Sequence, residues 1–168
     1  EAVTHLIDCG HRRIGIIAGR LEVSTGAERM AGYERALREH DIPIDEALTR
    51  SANFSRSLAY QKTTDLLKSS DPPSALFVCN NTMTLGALAA MSELGLKVPD
   101  DVSVVGFDDT EWAALMDPPL TVVSQPVKEL GTKATEILIR RIRAGSVKKT
   151  HKLTFAPELI VRASCRNI

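Results

Sequence analysis

Up to Pro119, the hydrophobic positions of the chain follow two periods, one typical of helices and one of buried strands. Ala2, Val3, Leu6 and Ile7 recur at helical spacing, and a glycine stands where such a helix would end. In the run RIGIIAG that follows, every residue after the first arginine is apolar or glycine, as in strands buried on both faces. The same alternation then predicts a helix that Ser24 or Thr25 can cap, a weak strand LTRSANF and a helix that Ser55 can cap. After these it predicts a strand ALFVCN, a helix from about Asn81 to Leu94, and a strand in DDVSVVGFDD.

The pattern changes after Pro119. LTVVSQP reads as a short strand, and VKELGTKATEILIRRIRAG reads as an amphipathic helix. Two short strands with a break at Pro157 are predicted to end the chain. The apolar side of the helix comprises Val127, Leu130, Ala134, Ile137, Leu138 and Ile142.

A regular alternation of helices and strands predicts βαβ units with right-handed crossovers and therefore an α/β fold with a parallel sheet. Ligands of open parallel sheets bind beyond the carboxyl ends of the strands. Asp108, Asn80 and Phe54 each follow a predicted strand, and Arg29 lies one turn into a helix that follows another. A carboxylate, a carboxamide, a guanidinium and one ring suit a small ligand rich in hydroxyl groups.

Each of these residue types also has a simpler structural role. A carboxylate at the end of a strand often braces a loop, and an arginine in the first turns of a helix is usually solvated. Asp109 fits a helix cap or a surface carboxylate better than a ligand contact, and Asn81 is expected to cap the helix that it begins.

Composition narrows the class of protein. The 168 residues carry 21 basic and 21 acidic side chains, so the chain lacks the excess of positive charge typical of a nucleic-acid surface. No apolar run approaches the roughly 20 residues that span a bilayer, so no membrane partner is expected. Three widely separated cysteines form neither a disulfide framework nor a zinc spacing, and the pattern favours buried or idle thiols without a metal or cofactor.

Several stretches resemble the lactose-repressor (LacI/GalR) family of bacterial transcription regulators, and the similarity extends along nearly the whole chain. The most specific stretch is FVCNNTMTLGALAAMSELGLKVPDDVSVVGFDD, which PPLTVVSQP follows at short distance. The other similar stretches are HLIDCGHRRIGIIAG, STGAERMAGYERAL, ELGTKATEILIRRI and PELIVRASC.

The resemblance implies a Rossmann-like C-terminal lobe of a periplasmic-binding-protein-like type I fold. It divides the chain into residues 1–121 of that lobe, residues 122–147 as a crossover strand and helix of an N-terminal lobe, and residues 148–168 as return strands. The helix-turn-helix DNA-binding domain and most of the N-terminal lobe are then expected to lie outside this chain. The apolar side of the crossover helix would pack elsewhere, pair with another copy or be exposed.

By the same resemblance, the effector contacts fall on Arg29, Asn80, Asp108 and Phe54, with weaker transfers to Thr25 and Gln125. The implied effector is a sugar or a nucleoside-like molecule, and the implied protein is a cytoplasmic, homodimeric regulator of operator DNA that carries no cofactor. Asn81 departs from the family, which often has aspartate there; that position starts a helix, so the departure does not affect the site.

The helix from Asn81 to Leu94 is apolar on nearly all sides, which is typical of a helix buried from two directions. One face can meet its own sheet, and an isologous dimer would cover the other. Dimerisation around this helix is also what the resemblance implies, and we expect Leu85, Leu88 and Met116 in the interface. The alternative is a helix covered entirely by its own chain.

Three other functions remain to be weighed. An enzyme is disfavoured, because none of the G-x-S-x-G, P-loop or H-E-x-x-H motifs occurs and no histidine or cysteine lies at ligand spacing near Asp108 and Asp109. A phosphoacceptor receiver domain would carry its acidic pair after an early strand. A periplasmic sugar-binding protein of a transport system shares the lobe architecture and is the closest rival; a signal peptide in the full-length protein would favour it, and a helix-turn-helix would favour the regulator.

Overall fold

A computed structural model describes residues 1–144, 150 and 152–168. The helices are α1 (Ala2–Asp8), α2 (Ser24–Glu39), α3 (Arg56–Leu67), α4 (Asn81–Glu93), α5 (Glu111–Leu115) and α6 (Val127–Ala144). The strands are β1 (Ile14–Ala18), β2 (Thr49–Ser51), β3 (Ala75–Val78), β4 (Ser103–Phe107), β5 (Thr121–Ser124) and β6 (Glu158–Ile160). The short helix α5 and a 3₁₀ turn at Glu46–Leu48 were not predicted.

The strands form one six-stranded sheet in the order β2-β1-β3-β4-β5-β6. The first five strands are parallel, and β6 runs antiparallel to β5. The order reverses direction between β1 and β3, which is the switch point at which doubly wound sheets open a crevice for ligands. The predicted α/β fold with a mostly parallel sheet is therefore confirmed.

Helices cover both faces of this sheet. A Cβ on Gly106 would meet Thr84 of α4, whereas the next side chain of β4, Phe107, lies under Arg29 of α2. Since successive strand residues point to opposite faces, α2 and α4 lie on opposite sides. Helix α1 packs beside α2, and α3 packs closely on α4. The four inner strands β1, β3, β4 and β5 are buried almost throughout, with mostly aliphatic side chains in the core, whereas the edge strands β2 and β6 are partly exposed.

Part of the predicted division of the chain is wrong. Val122 and Val123 lie in β5, which pairs with β4 on one side and β6 on the other, so this strand belongs to the same sheet as β1. Helix α6 behaves differently, because none of its described residues is buried and Leu138 and Ile142 are 58% and 69% exposed. Within this chain the apolar side is therefore exposed and does not pack on another described element, and pairing with another copy stays a prediction.

Other predictions at the chain end have mixed outcomes. The structure describes residues 152–157 as irregular, so the strand predicted before Pro157 is absent there. Glu158–Ile160 forms the predicted strand after it. The predicted helix end at Gly145 and the boundary between residues 147 and 148 lie outside the described residues.

Helix caps show where local signals succeed. Ser55 caps α3 as predicted, its Oγ accepting from the backbone N–H of Leu58 at 3.4 Å. Ser24 and Thr25 do not cap α2, because the N-cap position falls on Val23 and no side chain bonds the free amides. Helix α4 is capped by Asn80 and not by Asn81, a difference that bears directly on the site.

A buried histidine ties together the amino ends of three strands. His11 is fully buried; its Nδ1 lies 2.8 Å from Ser74 Oγ and its Nε2 lies 2.9 Å from Ser103 Oγ. The backbone N–H of Arg166 also donates to Ser103 Oγ, at 3.0 Å. Burial lowers the pKa of His11, as it does for the half-buried His5, so the folded state favours the neutral imidazole.

We expect the free energy of unfolding to fall as the pH drops below about 6.5, the ordinary pKa of histidine. Below that pH the unfolded chain binds a proton at His11 more readily than the folded chain does, so acid favours unfolding. Above it His11 is neutral in both the folded and the unfolded state, and its contribution to the pH dependence of stability vanishes. Urea unfolding at pH 5.5 and 7.5 measures the difference. His11→Gln should flatten the dependence, leaving the share of His5; an unchanged slope in the variant would contradict the assignment.

Candidate functional site

The predicted site residues lie at one edge of the sheet. In the ladder between β3 and β4, Phe77 is opposite Val105. Asn80 and Asp108 each follow these partners by three positions, so the two strands carry them out of the sheet at the same level. The carboxyl ends of β1 and β5 reach this edge as well, because both strands are parallel to their neighbours. The edge therefore gathers the polar side chains that the sequence placed after separate strands.

Asp108 is held at the turn that ends β4. Its backbone is left-handed, with a φ of 77°, which carries a cost for a residue with a side chain. The turn is fixed by its N–H, which donates to the carbonyl of Val123 at 2.8 Å. Gln125 donates from Nε2 to Oδ1 of Asp108 at 2.6 Å. The second carboxylate oxygen, Oδ2, has no hydrogen-bond partner in the described part of the chain, so it can accept from a ligand.

Arg29 joins the ends of β3 and β4. Its guanidinium donates to the carbonyl oxygen of Cys79 and lies over the ring of Phe107, with Cζ 3.6 Å from the ring centroid. Burial lowers the pKa of Arg29, and the nearby Asp108 opposes that shift. An arginine retains its charge under such conditions, so it supplies a fixed, partly desolvated cation beside the carboxylate. The solvated role that is usual for an arginine early in a helix does not apply here.

Asn80 has a structural task that limits its chemistry. Its Oδ1 accepts from the backbone N–H of Met83 at 2.8 Å and caps α4. The carboxamide oxygen is thus engaged, and the NH₂ group is what Asn80 can offer to a ligand. Asn80 is half-buried at the strand-end edge, and a donor is the hydrogen-bonding group that it has left to offer there.

Phe54 is seated on the end of β1. Asn53 and Phe54 both have left-handed backbones, with φ values of 52° and 60°. A Cβ on Gly19 would overlap the ring of Phe54, so the ring fills the space that this glycine leaves open. Two uncommon backbone conformations and a missing side chain together fix the ring at the same edge as Asn80, where it can offer an apolar face.

A cleft of about 470 Å³ opens beside this edge, on the side of the sheet that α1 and α2 cover. Its lining includes Thr25, Arg29, Phe107 and Gln125. Thr25 is exposed and free of a capping role, so its hydroxyl faces solvent in the cleft. Asn80, Asp108 and Phe54 are not among the described residues that line this cleft; they border the strand ends next to it. The structure thus brings the predicted residues to one edge in two adjoining groups.

Asp109 has a structural role, but it does not cap a helix. Arg162 forms a two-point ion pair with it, at 2.9 and 3.0 Å, and also donates to the carbonyl of Leu120 at 2.8 Å. Both side chains are largely shielded, at 17% and 24% exposed. The pair clamps the loop after β4 to the segment after β6 and so supports the position of Asp108.

The two more deeply buried cysteines, Cys79 and Cys165, are poorly suited to act as nucleophiles. Burial raises the pKa of Cys79 to about 12 and that of Cys165 to about 11. Both thiols are therefore neutral and weakly nucleophilic at neutral pH. The side chains at this edge are suited to binding: the carboxylate of Asp108 can accept hydrogen bonds, Arg29 and Asn80 can donate them, and Phe54 presents an apolar ring face.

Comparison with known proteins agrees with this geometry. Residues 3–165 match the family described as periplasmic binding protein-like domain. The HTH-type transcriptional repressor PurR of Haemophilus influenzae (strain PittEE) is 38% identical over 169 residues, covering 99% of this chain and 50% of the relative. The chain belongs to the LacI/GalR family of such domains. It spans about half the length of the curated relatives that it matches.

Solved structures of LacI/GalR proteins superpose on the chain closely. The complex of the transcriptional regulator CelR with cellobiose has a TM-score of 0.88 at 34% identity, covering 96% of this chain and 49% of that one. The Lac repressor dimer bound to operator and the anti-inducer ONPF has a TM-score of 0.83 at 33% identity, covering 98% and 48%. The predicted family and its fold are confirmed.

The predicted interface residues of this LacI/GalR domain lie on α4 and at the end of α5. Leu85 and Leu88 are each half-buried, as is Met116. Leu88 and Met116 line a common groove of about 450 Å³ between α4 and the loop at Pro118. Next to it Leu115 is 83% exposed, so this face retains apolar surface that its own chain leaves uncovered.

The sequence reasoning missed two residues that shape the LacI/GalR site. Phe107 reads as the last apolar residue of a strand, yet its ring supports Arg29. The two-residue period could have shown that Phe107 and Gly106 face opposite sides, but not that α2 would place an arginine there. Gly19 reads as a strand terminus, and no local signal indicated that it makes room for Phe54.

None of the helices in the described part of the chain is both long and apolar enough to cross a membrane.

Proposed function

We propose that this chain is the effector-sensing domain of a LacI-type DNA-binding transcription regulator, and that it has no catalytic activity. The observation that carries the proposal is the strand-end pair of Asp108 and Arg29, fixed by Gln125 on one side and Phe107 on the other. This pair suits recognition of hydroxyl groups, and the thiol of the neighbouring Cys79 is neutral because burial raises its pKa to about 12. The family relatives named above are regulators, which favours this function over a transport binding protein.

The effector class that we propose is a small sugar or a nucleoside-like molecule. Asp108 would accept from a hydroxyl through Oδ2, while Arg29 and Asn80 would donate to ligand oxygens or ring nitrogens. Phe54 would stack on the sugar or base. CelR, a structural relative, forms a complex with cellobiose, which agrees with a hydroxyl-rich ligand.

The proposed mechanism is a two-state equilibrium. The effector binds between this lobe and a second lobe and favours one relative orientation of the two. That orientation changes how a pair of DNA-binding domains is presented to operator DNA in the cytoplasm. The effector can shift the equilibrium only by the difference in its affinity for the two states.

Helix α6 is the segment that we assign to the second lobe. Its apolar side chains are exposed at Val127, Leu138 and Ile142, although its pattern is that of a helix with one buried face. Residues 122–124 belong to the sheet described here, so the proposed crossover begins after Ser124 and not at Val122. Gln125, at the start of the crossover, holds Asp108 and so links the site to the segment that leaves the lobe.

The proposal also includes a homodimer through α4. Leu85→Asp would place a charge in the apolar face beside Leu88 and Met116, and burying an unpaired charge is costly. We expect the full-length variant to sediment as a monomer. Ala31→Asp, on the exposed side of α2, is the matched control and should remain dimeric. Sedimentation velocity that shows an unaltered dimer for Leu85→Asp would remove this interface.

A thermal-shift screen of the full-length protein against sugars and nucleosides tests the function. We expect at least one compound to raise the melting temperature, since a ligand that binds only the folded state stabilises it. The same compound should change binding to operator DNA. Stabilisation without any effect on DNA binding would favour the transport protein instead.

A further inference from the structure

We propose that Phe107 is a positioning residue for ligand recognition: its ring holds the guanidinium of Arg29 in a fixed plane across the ends of β3 and β4. The effect on ligand recognition rests on the proposed function, whereas the contact between Phe107 and Arg29 is present in the structure without a ligand. It adds to the site a residue that touches no ligand yet determines what Arg29 can recognise.

The first step is the direction of the Phe107 side chain. Gly106 faces Leu120, Val122 and α4, so the next residue of β4 must face α2. Phe107 is only half-buried and lines the cleft on that side. Its ring therefore forms part of the floor on which side chains from α2 can rest.

The second step is the geometry of Arg29. The distance of 3.6 Å from Cζ to the ring centroid is that of a guanidinium stacked on a ring face. The donation to the carbonyl of Cys79 fixes one end of the planar fork. No carboxylate among the described residues forms a salt bridge with Arg29, and Asp108 acts on it only through space. The ring and one carbonyl are thus what orient the guanidinium.

The third step is what this orientation leaves available. A guanidinium has five N–H donors in a rigid plane. With one donor engaged on Cys79 and one face covered by Phe107, the remaining donors are available to a ligand in the cleft that Arg29 lines. Because the plane is fixed before the ligand arrives, less conformational entropy is lost on binding. Phe107 would therefore affect both the affinity and the geometry of the groups that Arg29 accepts.

The test measures the exposure of Arg29 by reaction with phenylglyoxal, an arginine-specific reagent, in the full-length protein without any effector. Peptide mass spectrometry follows the modification of each arginine over time. In the unmodified sequence, Arg29 should react about tenfold more slowly than Arg35, which is 74% exposed. Equal rates for the two arginines would overturn the proposal regardless of how any variant behaves.

Two variants distinguish the effect of the aromatic ring of Phe107 from the effect of its size. Phe107→Leu keeps an apolar side chain but removes the ring face, and we expect Arg29 to react about 5- to 30-fold faster, the range that a desolvated cation–π contact corresponds to. Phe107→Tyr keeps the ring and should preserve the slow rate. A Phe107→Leu protein with a slow rate at Arg29 would contradict the proposal.

Arg13 provides the internal control. It forms ion pairs with Asp45 and Asp71, before the start of β1 and remote from the strand-end edge, so its rate should be the same in all three proteins. If Phe107→Leu also accelerates the reaction of Arg13, the substitution has loosened the fold. The rate at Arg29 in Phe107→Tyr, compared with the rate in the unmodified protein, then tests the proposal. A faster reaction of Arg29 in the tyrosine variant would refute positioning by the ring. Since no effector is used, failure here leaves the proposed sensing function standing.

Discussion

Asp108→Ala in the full-length protein is expected to lower effector affinity about 10- to 100-fold and to leave operator binding intact. A hydrogen bond to a charged group contributes about 1.5–3 kcal/mol, and about 1.4 kcal/mol corresponds to a tenfold change in affinity. In the proposed site Asp108 is the acceptor, with Oδ1 engaged by Gln125 and Oδ2 available. Calorimetric titration with the compound that gives the largest thermal shift measures the loss. Unchanged affinity would remove Asp108 from the site.

Two variants control for indirect effects. Asp108→Asn removes the charge while keeping a residue that tolerates the left-handed backbone, so it should reproduce the loss of affinity with less cost in folding. Asp109→Asn weakens the pair with Arg162 instead. It should lower the free energy of unfolding by about 1 kcal/mol and change effector affinity by no more than about twofold. The two adjacent carboxylates would thus have different effects: substitution of Asp108 would lower effector affinity, and substitution of Asp109 would lower stability.

Gly86→Ala is expected to destabilise the domain by about 1–3 kcal/mol, the usual cost of overpacking a well-packed contact. Gly86 lies where α4 crosses α3, and a Cβ there would overlap the carbonyl oxygen of Arg56 and approach Ala59 Cβ at 3.0 Å. The backbone of α3 cannot give way as a flexible side chain would. Urea unfolding followed by circular dichroism measures the change.

Gly32→Ala is the matched control. Gly32 also lies within a helix, but a Cβ there meets nothing within 4 Å. Alanine should therefore stabilise by about 0.5–1 kcal/mol through its better helix propensity. Opposite signs for the two substitutions would show that contact between α3 and α4 determines the effect. Two variants that both gain stability would contradict the close approach at Gly86.

Most of the fold could be predicted, because the buried parallel strands have an unmistakable pattern. IGIIAG and ALFVC are apolar at every position, since both faces of their strands are covered. Helix α5 and the Glu46–Leu48 turn were not predicted, because segments of five and three residues span too few helical turns to show a hydrophobic period. The placement of β5 failed for another reason: the apolar run was correctly identified as a strand, but its sheet partners depend on tertiary contacts.

The site was predictable as a set of residues but not as a set of contacts. Strand ends placed Asp108 and Asn80 together because register follows from the parallel sheet. The cap was assigned one residue too late, to Asn81, because the boundary of α4 falls between two identical residue types. The stacking of Arg29 on Phe107 joins residues far apart in sequence, and periodicity carries no information about such a pair.

The capping task of Asn80 has a consequence for anyone redesigning the proposed ligand site. Its oxygen caps α4, so most substitutions at this codon would lower stability by about 0.5–2 kcal/mol, and a library there would mix losses of stability with changes in binding. Diversity belongs instead at Thr25, whose hydroxyl is exposed and supports no helix end.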